Sequence, residues 1–488
     1  MKKVVALIAV IIVMMIPVTA FAQVTPVEPF DESKADAGTV MLFNAETGQE
    51  IYSKNADEKI FPASTTKLMT ALIAAESGKL EDEVKVGEEV TAFGEESSLM
   101  GLKAGETIPA KDLLYGMMLV SGNDAAAAMA VHLAGGIDAF AGQMNAKAQE
   151  LGMADSHFTN PHGVHDDNHY TTGADMKKLA MAVFLNNDLM QVADTKTYTV
   201  QPTDKVTETR QLKNTNQLIY TDPEHPEDGV FYYEYANGMK TGLTPQAGGC
   251  LVASATKGDL SLIALIYNDT SEEYNNRWTI AKELFDYGFD NFENVASGDF
   301  ISNYSVAETV ANYAENDPES GQLKLTAEPL VTDAQKVMLT KSQAEAVKAG
   351  TLDLKTNVNL TRELTAPVKQ GDEFGTVDFS LDDGTVIGTA KLVASREVFQ
   401  LGDEKSQSEA LGESPFEYWS KTDVLTEISK NTAVLWWLLI PAGIIILLIV
   451  RSAMVNRRRN RGRRMPAAKY YYHRPIMRRR PRYRGRYR

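Results

Sequence analysis

Phe61-Pro62-Ala63-Ser64-Thr65-Thr66-Lys67-Leu68-Met69-Thr70 sets a serine and a lysine three residues apart at the head of an apolar run that meets no turn residue until Gly78. Pro62 disfavours helix in the residue before it, so the pattern predicts a helix that begins near Ser64 and closes at Gly78. Residues three apart on a helix share a face, which brings Lys67 beside Ser64. A serine hydroxyl is a poor nucleophile until a base takes its proton. A lysine can be that base when desolvation and a positive helix end lower its pKa. The spacing also arises by chance, and Ser254-Ala255-Thr256-Lys257 repeats it. There Leu251 to Ala255 and Leu260 to Tyr267 flank Lys257-Gly258-Asp259 and read as a β-hairpin. Strand residues three apart point to opposite faces, so that second pair cannot cooperate.

Moving outward, Thr39 to Phe43 and Gln49 to Tyr52 form two short strands around the turn residues Asn44 to Gly48. Residues 80 to 108 read as small strands and loops. Lys111 to Leu119 and Asp124 to Leu133 are helical runs interrupted by Ser121-Gly122-Asn123, a short connection suited to hold a hydroxyl and an amide in a cleft. Ile137 to Leu151 and Thr172 to Leu185 are further helices. Between them His157, His162, His165 and His169 stand near Asp166 and Asp167, but their spacing matches no standard zinc pattern. Solvated loop histidines are expected there, with no metal and no cofactor. Lys240-Thr241-Gly242 precedes the hairpin, and an amphipathic helix runs from Arg277 to Phe289. Strands at both ends of a helical block imply one α/β unit at 37–295, its antiparallel sheet assembled from the two ends. Residues 297–399 change character: short runs at Thr376 to Leu381, Thr385 to Ile387 and Ala390 to Val393 read as a small antiparallel β domain.

The ends of the chain are not globular. Residues 1–22 carry Lys2 and Lys3, an apolar run and Ala20-Phe21-Ala22, the pattern of a secretory signal peptide. A polar linker at 400–431 leads into 432–450, an uncharged apolar stretch long enough for a transmembrane helix. The tail at 451–488 holds 16 Arg and Lys and no acidic residue, which places it in the cytoplasm and the large domains outside. The net charge of −16 conceals this division. Removing the tail lowers the basic count from 49 to 33 against 65 acidic residues, a net −32, so the ectodomain is a poor partner for nucleic acid. The one cysteine, Cys250, excludes an intrachain disulfide and sits in an apolar strand pattern as a small buried hydrophobe.

Lys240-Thr241-Gly242 supplies a lysine and a threonine for a carboxylate and a glycine at which an extended peptide can approach the strand edge. Ser64-x-x-Lys67, Ser121-Gly122-Asn123 and Lys240-Thr241-Gly242, in this order, resemble the penicillin-binding serine acyl-enzyme superfamily. The longer stretches Pro62 to Thr70, Val120 to Ala125, Gly238 to Gly242 and Leu251 to Thr256 resemble the low-molecular-mass D-alanyl-D-alanine carboxypeptidases. Leu364 to Asp372 resembles that family's β-rich second domain, so the likeness runs from about Thr39 to Val398.

The resemblance implies an α/β (α+β) β-lactamase/transpeptidase-like domain, its antiparallel sheet flanked by helices, followed by a small β-rich domain. It implies a carboxypeptidase that trims the terminal D-alanine from peptidoglycan stem peptides and is inhibited by β-lactam antibiotics. By motif position, Ser64 would be the nucleophile, Lys67 its base and Ser121 a proton relay to the leaving amine. Asn123 would hold a substrate amide, Lys240 would raise the positive potential, and Thr241 and Gly242 would meet the terminal carboxylate and peptide edge. The N–H groups of Ser64 and Leu243 would form the oxyanion hole. One departure is the anchor: the family often uses an amphipathic helix on the membrane, whereas 432–450 reads as a single-pass span of a bacterial cell membrane. Alternatives are a membrane-anchored β-lactam sensor, or a DD-endopeptidase or β-lactamase of the same superfamily. No recognisable deacylating glutamate motif stands between Asn123 and Lys240, which disfavours the β-lactamase.

Overall fold

The computed structural model describes residues 25–94, 96–221, 229–301, 304–330 and 336–402. The expected signal peptide, most of the linker, the membrane span and the basic tail lie outside the described residues. Contacts group 25–311 and 321–398 into one unit, and 312–320 with 399–402 into a second. In the second unit the Ala314 amide donates to the Phe399 carbonyl at 2.8 Å, and Tyr313 bridges Gln400.

The central sheet is built from the two ends of the helical block. Strands β1 (Thr39–Asn44) and β2 (Glu50–Lys54) form the first hairpin. The serine stretch follows as a 3-10 turn, Ala63–Thr66, that runs into α1 (Lys67–Glu76). The small pair β3 (Glu83–Lys85) and β4 (Thr107–Pro109) precedes α2 (Ala110–Leu119), α3 (Asn123–Ala134) and α4 (Ile137–Glu150). Next come α5 (Gly173–Phe184), α6 (Asn187–Ala193) and the hairpin of β5 (Thr197–Val200) and β6 (Arg210–Lys213). Strands β7 (Ala236–Thr244), β8 (Gly248–Lys257) and β9 (Leu260–Asp269) then return to the first hairpin, and α7 (Asn276–Asn291) closes the block. The antiparallel order is β2-β1-β9-β8-β7, which leaves β7 at an edge.

Burial explains the layering. β8 and β9 are apolar and buried along nearly their whole length, as strands covered on both faces must be. On one face Met41, Phe43, Val252 and Leu265 join the apolar core that also holds residues of α1, α2 and α3, with α5 in contact with β1 and β9. On the other, Val40, Leu42, Leu251 and Ile266 pack against Trp278, Leu284 and Phe285 of α7. Ser64, in the turn that leads into α1, therefore rests on a two-sided core.

The second half continues with β10 (Phe292–Ala296), the short helix α8 (Gly298–Ile301), β11 (Ser305–Thr309), β12 (Gln322–Pro329) and β13 (Lys336–Thr340). It ends with α9 (Lys341–Lys348), β14 (Lys355–Leu360), β15 (Glu373–Ser380) and β16 (Val386–Ala394). A second antiparallel sheet has the order β11-β12-β16-β15-β14, while β10 pairs with β13.

Three local expectations change. Helix α6 was not read from the sequence, although Asn186 caps it by accepting from the Leu189 amide. Residues 297–399 are not all β: Thr340 and Gln343 form a capping box that starts α9. Finally, Val386, Ile387 and Ala390 to Val393 belong to one hairpin strand, β16, which runs through Gly388 where a Cβ would press on Phe300 and Ile301.

Candidate active site

The serine turn is held from below by the sheet. Thr65 donates its hydroxyl to the Pro62 carbonyl at 2.7 Å and lies 3.1 Å from the Tyr267 hydroxyl of β9. Ala63 takes a φ of +47°, an unfavourable conformation for an alanine that costs about 1–2 kcal/mol. Two kinks of this kind occur at the motifs, the other being Ser121 at +60°. Both stand where surrounding contacts over-determine the backbone.

Lys67 is fully buried, and its Nζ lies 3.0 Å from Ser64 Oγ, 2.7 Å from Asn123 Oδ1 and 2.7 Å from the His162 carbonyl. Asn123 Oδ1 and the His162 oxygen can only accept, so they take two N–H groups. In the neutral amine the lone pair then faces the serine hydroxyl. Burial, and after it repulsion from Lys240, pushes the Lys67 ammonium well below the ordinary lysine range, while Asp124 opposes the shift. The arrangement is that of a base ready to take the Ser64 proton.

The connection between α2 and α3 is pinned on both sides. The Gly122 amide donates to the Gly116 carbonyl at 3.0 Å, and the Asn123 amide to the Ser98 carbonyl at 2.8 Å. The buried Asp124 carboxylate accepts from the amides of Met100, Gly101 and Leu102. Asn123 thus opens the helix instead of lying in the loop. Among the described residues neither the Ser121 hydroxyl nor Asn123 Nδ2 makes a hydrogen bond, which leaves both available to a bound molecule.

Edge strand β7 forms the facing wall. A Cβ placed on Gly242 would lie 3.1 Å from the Ser64 amide nitrogen, so the strand passes directly beside the serine turn. Lys240 is buried and donates to the Thr241 carbonyl at 3.1 Å. Burial, then repulsion from Arg277, lowers its pKa to about 7. The Thr241 hydroxyl lies 2.7 Å from that of Thr215, and Leu243 is 49% exposed at the strand edge. Arg277 Nη1 donates to the Gly242 carbonyl at 3.1 Å.

Ser64, Lys67 and Asn123 are therefore joined directly, Gly242 abuts them, Lys240 acts on Lys67 through its charge, and Thr241 and Leu243 flank Gly242. Three contributors were missed in the sequence. Thr215 and Arg277 approach from distant elements, and no local pattern marks them. The third is the histidine-bearing segment, whose solvated reading holds for the exposed His157 but not for the inward-facing 161–163 turn and His169. His169 is 2% exposed; its Nδ1 accepts from the Thr159 amide, which leaves Nε2–H to donate to Thr66 at 2.8 Å. The Pro161 carbonyl accepts from Thr70, and a Cβ on Gly163, at φ +81°, would overlap the Ala63 carbonyl. Pro161-His162-Gly163 was the available signal. Among the described residues no group of three or more His, Cys, Asp or Glu is placed to hold a metal.

A family model described as D-alanyl-D-alanine carboxypeptidase matches residues 23–271, and one described as the penicillin-binding protein 5 C-terminal domain matches 330–400. The chain is 30% identical over 374 residues to the D-alanyl-D-alanine carboxypeptidase DacF of Bacillus subtilis, covering 75% of this chain and 87% of that one. It is 31% identical over 379 residues to DacC of Escherichia coli, covering 75% and 85%. Its fold is similar to that of penicillin-binding protein 5 from Haemophilus influenzae, with a TM-score of 0.57 and 28% identity over 77% of this chain and all of the other.

Proposed function

The chain belongs to the D-alanyl-D-alanine carboxypeptidase family and is a serine-type peptidase acting on peptidoglycan; from that premise we propose how its residues divide the work. The observation that carries the proposal is the 3.0 Å approach of Lys67 Nζ to Ser64 Oγ, with the other two contacts of the amine occupied by acceptors.

Lys67 takes the Ser64 proton as Oγ attacks the carbonyl of the penultimate D-alanine of a stem peptide. The Ser64 and Leu243 amides receive the oxyanion, where fixed donors act most strongly on developing charge. Collapse breaks the C–N bond, and Ser121 passes a proton to the departing D-alanine amine. Water then cleaves the Ser64 ester and releases the shortened peptide. Asn123 holds a substrate amide through its free Nδ2. Thr241, with Lys240 and Arg277 behind it, receives the terminal carboxylate, and the free edge of β7 pairs with the peptide. β-Lactams acylate the same serine.

We place the enzyme at a bacterial membrane: a signal peptide at 1–22, a single span at 432–450, the catalytic domain at 37–295 and the β-rich domain at 297–399 outside, and the basic tail inside. Apolar length and the 16 basic residues of the tail support this topology. The activity is tested by incubating the full-length protein with diacetyl-L-Lys-D-Ala-D-Ala. Release of one equivalent of D-alanine is expected, and penicillin binding without any release would exclude a carboxypeptidase.

A further inference from the structure

Resting on the assignment of Lys67 as base, we propose that Asn160 is a positioning residue of the reaction, holding the 159–164 turn so that the His162 carbonyl fixes the Lys67 amine against Ser64. Asn160 uses its whole side-chain amide on this one turn. Its Oδ1 accepts from the amides of Gly163 at 2.7 Å and His162 at 3.3 Å. Its Nδ2 donates to the Val164 carbonyl at 3.0 Å and to Thr159 Oγ1 at 3.2 Å.

With the turn held in this way, two successive carbonyls point at one face of α1. The Pro161 oxygen meets Thr70 Oγ1 at 2.6 Å and the His162 oxygen meets Lys67 Nζ at 2.7 Å. Lys67 and Thr70 are three residues apart and share that face. Gly163 fits under the Ala63 carbonyl only because it lacks a side chain, so the turn is seated against the residue that precedes the nucleophile. Of the two acceptors on Lys67, Asn123 is a side chain whose amide also serves the substrate. The His162 carbonyl is the one fixed by backbone, and Asn160 is what fixes it. An amine with two N–H groups held has its lone pair directed by default, which is pre-organisation of the base and not of the substrate.

The charged and titratable groups facing Lys67 are Lys240 from β7, Asp124 from α3 and the His162 ring on the turn itself. Burial lowers His162 to about 3 and His169 to about 4, so both rings are neutral where the base titrates, and Lys240, at about 7, is common to every variant compared.

The test measures the second-order rate of acylation of the full-length protein by a fluorescent penicillin from pH 5 to 10, for wild type, Asn160→Ala, Asn160→Asp and Asn145→Ala. Asn145 is a matched control: it pins Phe158 by accepting from its amide and donating to its carbonyl, but holds nothing on Lys67. Asn160→Ala is expected to slow acylation at pH 7 by about 30-fold, the size of effect a misplaced catalytic group produces. Water admitted beside Lys67 raises its pKa, so the acid limb moves up by about one pH unit. Asn160→Asp keeps both bonds to the His162 and Gly163 amides and is expected to recover the high-pH rate to within about threefold of wild type. Asn145→Ala is expected to lower Tm without moving the limb. The proposal is overturned if Asn160→Ala keeps the wild-type rate and limb, or if Asn145→Ala shifts the limb as far. Failure of the wild type itself to be labelled at Ser64 would instead remove the base assignment on which the proposal rests.

Discussion

Gly242 and Ser64 meet so closely that a Cβ on the glycine would stand 3.1 Å from the serine amide nitrogen and 3.2 Å from the Ala63 and Cys250 Cβ atoms. The proposed nucleophile and the strand proposed to pair with substrate are thus two sides of one contact. Gly242→Ala must push β7 away from the serine turn. Overpacking of this kind costs about 1–3 kcal/mol, which urea denaturation would register. Because the displaced amides include the proposed oxyanion donors, kcat/KM for D-alanine release should fall by roughly 10²-fold. A variant with wild-type turnover would show that the oxyanion does not sit between these two elements.

Lys240 makes a second prediction, in which stability and activity move in opposite directions. Its folded pKa of about 7 lies below the ordinary lysine value of 10.5, so the unfolded chain binds more protons between those limits. Stability therefore rises with pH through that window and is lowest below about pH 7. Lys240→Met removes the buried amine and is expected to gain on the order of 1–3 kcal/mol at pH 7 and much less at pH 10, measured by urea unfolding. Turnover should collapse, since the carboxylate loses its positive field and Lys67 loses a repulsion that adds to burial in holding its pKa down.

His169 gives a prediction about acid stability. Burial lowers it from 6.5 to about 4, so the unfolded chain binds the extra proton in that interval and stability falls as pH drops through it. The slope is at most about 1.4 kcal/mol per pH unit for one proton. His169→Gln, which can still donate to Thr66, should flatten the urea midpoint between pH 6.5 and pH 4; an unchanged slope would mean that His169 is not held neutral in the fold. His162, lowered further to about 3, contributes a fall of its own over the same interval and on to about pH 3, so His169→Gln should reduce the slope between pH 6.5 and pH 4 without abolishing it.

Much of the site was legible because its three motifs lie on locally patterned elements. Pro62 and Gly78 bracket the serine helix, Gly122 breaks α2 from α3, and the hairpin after Lys240 identifies its strand and disqualifies Ser254-x-x-Lys257. That the antiparallel sheet draws on both ends of the block was legible as well, but its order β2-β1-β9-β8-β7 was not, because which strands pair is set by long-range packing. The inward-facing half of the histidine segment was misread, while His157 is exposed as expected, because polar, glycine-bearing composition reports solvent only on average. Here the side chains of Asn160 and His169 are consumed by the segment's own backbone and by Thr66, and its carbonyls turn inward onto α1. Arg277 lies 35 residues beyond Gly242 and reaches it through tertiary packing alone. Helix α9 carried a visible Thr340-x-x-Gln343 cap, overlooked beside the β-rich text around it.

The central claim is an acyl-enzyme on Ser64, and mass mapping after reaction with benzylpenicillin tests it most directly. The account predicts a single adduct, on the peptide containing Ser64, in full-length wild type, and none in Ser64→Ala. An adduct on any other peptide, or one that survives Ser64→Ala, would contradict it.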